Sequence, residues 1–254
     1  MRNETVRWQT DGRGVATVTL NRPEVNNAYN DQLIQGLHDA MDSLKHARVV
    51  VLQGAGRHFQ AGADLKWIRD VASKDEDENQ RASRATAMAV HRLNTLPVPT
   101  VALVQGGCFG GGTGIVAVCD VVIAADNAMF SIAETRWGLT AAIILPQLAD
   151  AIGARQVRRY ALSGERFGAE EARRIGLVHE VVPLAGLAAA GAKIVEQLLQ
   201  NGPQANAETK ATALRYAWGA TDLEGLIKAH AAKRRSAEAA EGLASFVEKR
   251  PARW

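Results

Sequence analysis

The sequence predicts an α/β fold, and three observations predict it. Apolar runs of strand length recur through the first 190 or so residues: VATVTL (Val15–Leu20), VVVLQG (Val49–Gly54), TVALVQG from Thr100 and CDVVIAAD ending at Asp126. Segments with helical spacing separate them, and that alternation is the signature of a sheet whose parallel strands are joined through helices. From Leu184 to Val247 the strand-like runs stop, and only helical patterns rich in Ala, Leu, Glu and Lys continue.

Val6–Trp8 and Val15–Leu20 read as two strands joined by a DGRG turn. NRPEVNNAYN (Asn21–Asn30) follows as a polar loop. Asn30 or Asp31 can cap the next helix, in which Leu33, Ile34, Leu37, Met41 and Leu44 share one face. VVVLQG is a fully buried strand, and GAGRHFQAGAD after it is a loop of small residues that leads into a short helix with Asp64 near its start. SKDEDENQR (Ser73–Arg81) is an acidic run, read as solvated and mobile, with a flap over a site as the functional alternative. A helix is expected over Ala82–Asn94, then the strand TVALVQG, the glycine-rich FGGGTG and the strand in CDVVIAAD. A composition shift near Gly202–Pro203 divides the chain into a core over residues 1–200 and a helical region over residues 201–254.

Composition narrows the function. A chain of 254 residues with 47% hydrophobic and 22% charged residues is an ordinary globular protein, and a net charge of +3 is too weak to argue for nucleic acid. No aromatic-stacking motif points to RNA. No run of about 18 apolar residues suggests a membrane span, and MRNETVRWQT lacks the apolar stretch of a signal peptide. Cys108 and Cys119 stand in apolar surroundings without metal or disulfide spacing, and the six histidines are scattered singly. The expectation is a cytoplasmic protein with reduced thiols and no metal site. His58 has no Ser, Cys or Asp partner placed for a triad and reads as structural.

FGGGTGIVAVCD (Phe109–Asp120) sets three consecutive glycines between a strand and a helix. A phosphate-binding loop would need G-x-x-x-x-G-K-[ST], and no lysine follows; the G-x-G-x-x-G dinucleotide pattern is absent as well. What remains is a helix N-terminus with free backbone N–H groups, suited to negative charge on one oxygen. Such a hole takes two donors from different segments. FQAGADLKW also follows a buried strand, is built of small residues and leads into a helix. Parallel strands would bring both helix starts to one sheet edge, where ligands of α/β folds bind.

NRPEVNNAYN, GAGRHFQAGADLK, GGCFGGGTGIVAVCD, FSIAETRWGL and EGLASFVEKR occur in that order. Together they resemble the crotonase family of enoyl-CoA hydratases and isomerases, over about residues 4–250. The resemblance implies a spiral of ββα units, a C-terminal helical trimerisation region, and a homotrimer or a hexamer made of two trimers. It implies acyl-CoA thioester substrates, with coenzyme A arriving as part of the substrate and no permanently bound cofactor. The thioester oxygen would be held by the N–H groups of Ala63 and Gly111. Ala61, Asp64, Leu65, Lys66 and Gly110 would line the substrate and CoA groove. Phe246 and Lys249 read by pattern as ordinary residues of an amphipathic tail, and the resemblance implies that this tail can reach a neighbouring subunit's CoA adenine. The basic groups Arg234–Arg235 and Arg250–Arg253 read as a solvated face, or as partners of the CoA 3′-phosphate.

The same resemblance implies two catalytic glutamates, and here the pattern departs. The position three residues after the oxyanion glycine is Gly114, which leaves Glu134 in FSIAETRWGL. An isolated glutamate is usually a surface or capping carboxylate; its place in the matching segment reverses that reading. One carboxylate can take a proton from water and return it to C2, and it can equally shuttle a proton between C2 and C4. Hydratase, Δ3,Δ2-isomerase and a non-catalytic acyl-CoA-binding homologue therefore all stay open, with the hydratase leading. ETRWGLTAAIILPQLADAIGARQVRRYALSGERF resembles the hydratases of glutaconyl-type substrates, such as 3-methylglutaconyl-CoA and isohexenylglutaconyl-CoA, many of which also have GGGxG. Such substrates carry a carboxylate at the far end of the acyl chain, which needs a cation or a helix N-terminus; Arg136 is the candidate cation, with a salt bridge in the trimer as its other reading.

Overall fold

A computed structural model describes residues 4–44, 46–217 and 223–250. The strands are β1 (Val6–Thr10), β2 (Val15–Leu20), β3 (Val49–Gly54), β4 (Thr100–Val104), β5 (Gly107–Phe109), β6 (Val121–Ala125), β7 (Met129–Ser131), β8 (Phe167–Gly168) and β9 (Glu180–Val182). The helices are α1 (Asp31–Ser43), α2 (Leu65–Ala72), α3 (Glu76–Asn94), α4 (Gly111–Ala117), α5 (Leu145–Ser163), α6 (Ala169–Arg174), α7 (Leu187–Leu199), α8 (Pro203–Ala217), α9 (Leu223–Arg234) and α10 (Ala237–Val247).

A six-stranded sheet runs β1-β2-β3-β4-β6-β9, antiparallel only in the β1–β2 hairpin. Side-chain alternation splits the central strands between two cores. Val50, Leu52, Ala102, Val104, Val122 and Ala124 face the main core, whereas Val49, Val51, Val101, Leu103, Ile123 and Ala125 face Leu187 and Val195 of α7. Burial on both faces is why these strands read as continuous apolar runs. At Gly191 of α7 an added Cβ would lie 2.8 Å from Leu103 Cδ2, so the glycine permits the close approach of helix to sheet.

A second sheet, β5-β7-β8, stands beside the first. A parallel bridge between Gln60 and Cys108 extends it to the loop after β3. The chain thus leaves β3, β4 and β6 of the large sheet in turn and adds a short extended segment to the small one before each helix, which makes a spiral of ββα turns. The small sheet corrects one detail: FGGGTG does not follow β4 directly but leaves β5, three residues too short to stand out in sequence.

The acidic run is also corrected. Asp75 caps α3, its carboxylate accepting from Glu78 N at 2.8 Å, so the helix begins at Glu76 rather than Ala82. Glu76, Asp77 and Glu78 occupy its first turn, where carboxylates complement the helix dipole. Farther on, α9 packs on α3 and α10 on the Glu134–Trp137 turn. The ring of Phe246 meets that of Trp137 edge to face at 4.6 Å, within the chain itself.

Candidate active site

The segment after β3 is held on both sides by backbone hydrogen bonds. Phe59 N donates to Gln105 O, Gln60 N to Gly107 O, and Phe109 N back to Gln60 O at 2.9 Å. On its other flank Ala61 N donates to Asn26 O, Tyr29 N to Gly62 O and Asp64 N to Tyr29 O. Asn27, fully buried, drives this arrangement: its Nδ2 donates to the carbonyls of Ala55, His58 and Phe59. Both Asn26 and Asn27 have positive φ, a conformation asparagine tolerates. His58 is structural as expected: Gly107 N donates to its Nδ1 at 2.7 Å.

In this lattice the N–H groups of Ala63 and Gly111 are left over. The Tyr29–Ala63 bridge uses the Gly62 carbonyl and the Asp64 N–H, and Gly111 opens α4, where an N–H has no partner inside the helix. The glycines bring the two loops together. A Cβ on Gly62 would lie 3.2 Å from Phe109 O, and one on Gly111 would strike the Tyr29 ring at 2.6 Å. Gly110 has φ +49°, and a Cβ there would sit 2.9 Å from Glu134 Oε1. The carboxylate of Glu134 therefore rests on the backbone beside Gly111.

Glu134 begins a short 3-10 turn that ends at Gly138, whose positive φ closes it. Its Oε2 is buried without a hydrogen-bond partner. Burial pushes its pKa up to about 7, partly offset by a hydrogen bond from its own backbone N–H. A carboxyl balanced near neutrality can both take and give a proton.

A cavity of about 830 Å³ gathers the residues singled out in sequence: Ala61, Ala63, Asp64, Leu65, Lys66, Gly110, Gly111 and Glu134 all line it. Asp64 is committed to the loop itself, since Oδ1 accepts from Lys66 N at 3.1 Å and Oδ2 pairs with Arg22 at 3.3 Å. Lys66 is exposed at the first turn of α2. Gly114 is buried inside α4, and an added Cβ would lie 2.3 Å from Ile144 Cγ2. The space a second glutamate would take is thus filled by an apolar side chain from the AAIIL segment. Arg136 lines the cavity but is exposed.

Sequence reasoning missed Tyr29 and His230, and it misplaced Arg234. Tyr29 lines the cavity beside Gly111, and its phenol is raised by burial and then by Glu134, with Arg234 opposing. Arg234 is not on a solvated face; it is 3% exposed and lines the same cavity, because α9 folds onto α3. Arg253 lies outside the described residues. An aromatic in the NNAYN loop was the one legible signal for Tyr29; the burial of Arg234 follows from tertiary packing alone.

A family model described as enoyl-CoA hydratase/isomerase matches residues 10–254. The hydroxycinnamoyl-CoA hydratase-lyase of Pseudomonas fluorescens is 37% identical over 207 residues, covering 78% of this chain and 75% of that protein. The mevalonyl-coenzyme A hydratase of Aspergillus fumigatus is 34% identical over 249 residues, covering 94% and 91%. The crystal structure of an enoyl-CoA hydratase from Mycobacterium avium matches at a TM-score of 0.86 and 32% identity, over 98% of each chain.

Proposed function

Because the chain belongs to the enoyl-CoA hydratase/isomerase family, with the crotonase fold and relatives named as hydratases, we propose that it adds water across the C2=C3 bond of a glutaconyl-type enoyl-CoA, with Glu134 as sole acid and base. The observation that carries this reading is the enclosed, unpartnered Oε2 of Glu134, on the wall that also presents the free amides of Ala63 and Gly111.

The chemistry follows from that placement. The Glu134 carboxylate takes a proton from water as the water oxygen bonds to C3. The electron pair of the double bond moves to the thioester oxygen, where the Ala63 and Gly111 amides hold the negative charge. Each such donor is worth roughly 3–4 kcal/mol in a dry site. The Glu134 carboxyl then gives its proton to C2 and the thioester carbonyl re-forms. Exposed Lys66 suits the phosphates of the CoA arm, which belongs to the substrate.

A single carboxylate also favours the Δ3,Δ2-isomerase as a second reading, since C2-to-C4 proton transfer needs only one base. Assays with crotonyl-CoA, 3-methylglutaconyl-CoA and a 3-enoyl-CoA, following water addition and double-bond migration separately, decide between them. Water addition to the 2-enoyl substrates is expected. Turnover of the 3-enoyl substrate alone would replace the hydratase with the isomerase, and binding without any turnover would leave an acyl-CoA-binding homologue.

A further inference from the structure

The wall of the cavity carries several cations, and all but one of those whose burial is extreme in either direction face water. Lys66, Arg69, Arg136 and Arg166 are exposed; Arg234 is buried. Its guanidinium is held by neutral groups: Nε donates to Asn79 Oδ1 at 3.1 Å, one terminal nitrogen donates to Asn79 O at 2.7 Å, and the same nitrogen donates to Ser83 Oγ. Among the described residues no carboxylate pairs with it. Asp31 acts on it only from beyond pairing distance. A buried arginine is costly unless it meets an anion, and proteins seldom bury one otherwise.

Besides the acceptors that hold Arg234, the shell around it contains donors without a partner. Trp67, whose ring lies under the guanidinium at 5.8 Å, buries its Nε1–H without an acceptor, and Asn79 buries its Nδ2 in the same way. His230 hydrogen-bonds to Ser83 Oγ at 3.1 Å and is kept neutral, its pKa lowered to about 3 by burial and by Arg234. Uncompensated donors around one fixed positive charge, with no acid among them, describe a site for an anion.

Its position limits which anion. The Tyr29 ring touches Gly111, the Tyr29 and Trp67 rings are 5.6 Å apart, and Trp67 lies against Arg234. The rings of Tyr29 and Trp67 thus link Gly111 to Arg234 by successive contacts, and Tyr29, Gly111 and Arg234 line the same cavity. We propose that Arg234, supported by Asn79 and Ser83, binds a carboxylate at the far end of the substrate's acyl chain. Arg136 does not take that role. The proposal names the residue that selects the acyl group and rests on the acyl-CoA reading above.

Binding of saturated analogues tests it without requiring turnover. Glutaryl-CoA and valeryl-CoA have five-carbon acyl chains and differ in the terminal carboxylate. Calorimetry on the wild type is expected to show glutaryl-CoA binding about 30-fold tighter, the range of a hydrogen bond to a charged group. Arg234→Gln should bring the ratio of the two Kd values near one, and Arg234→Lys should recover part of it. No preference in the wild type overturns the proposal. So does a ratio left intact in Arg234→Gln, whether or not both ligands weaken together, as they would if the arginine held a CoA phosphate or only the α3–α9 packing. Failure of the hydratase reading would appear separately, as absent water addition to crotonyl-CoA by a wild type that still distinguishes the two analogues.

Discussion

At the scale of the residue, the proposed chemistry rests on one carboxyl in an unfavourable place. Glu134 is raised to about 7 because burial penalises its charged form. An acid whose pKa is higher in the folded state than in the unfolded chain stabilises fully below the unfolded value and loses that contribution as pH rises through the folded one. The window runs from about 4.5 to about 7, and the difference across it is about 3 kcal/mol. Glu134→Gln keeps the group neutral at every pH. It should therefore melt well above wild type at pH 8 and close to it below pH 4.5; thermal melts across that range check this, and a constant offset would contradict it. The stability withheld by Glu134 is the kind of cost that active sites carry.

At the scale of the element, α4 and the segment before α5 fit each other in a way that closes the second-glutamate position. Ile144 lies where a side chain on Gly114 would go. Gly114→Ala should cost about 1–3 kcal/mol through overpacking, despite the better helix propensity of alanine. Ile144→Ala in the same chain should recover much of that loss, so a double-mutant cycle by chemical denaturation should show strong coupling. Additive effects would mean the two positions do not share that space. The same packing predicts that Gly114→Glu alone yields a destabilised protein and not a two-carboxylate enzyme.

At the scale of the molecule, α9 and α10 complete the cavity: α9 contributes His230 and Arg234 to it, and α10 places Phe246 on Trp137. Among the described residues no helix is long and apolar enough to cross a membrane. The family resemblance leads to the expectation of a trimer or a hexamer. Sedimentation should give three or six times the chain mass, and a monomer would remove the trimer expectation. Much of this architecture was legible in the sequence. VATVTL and VVVLQG have the ends expected of them, because buried strands read as apolar runs and the turns beside them carry Gly and Asn. The eight cavity residues named beforehand line one cavity: seven stand in or directly after the two glycine-bearing loops read in the sequence, and Glu134 stands in the ETRW turn. The start of α3 was hidden, since an acidic first turn looks like any solvated run. Arg234 was hidden for a deeper reason: a charged residue on a helix gives no local sign that another helix will bury it.

The central claim is that Glu134 alone moves the protons. The most direct measurement is kcat for hydration of crotonyl-CoA by Glu134→Gln, made on protein whose melting curve shows it folded. The account predicts a fall of about 10²–10⁴-fold, the usual worth of a general acid–base group, with water addition unrecovered at any pH. A kcat within a few-fold of wild type would contradict it and return the search for the base to the rest of the cavity wall.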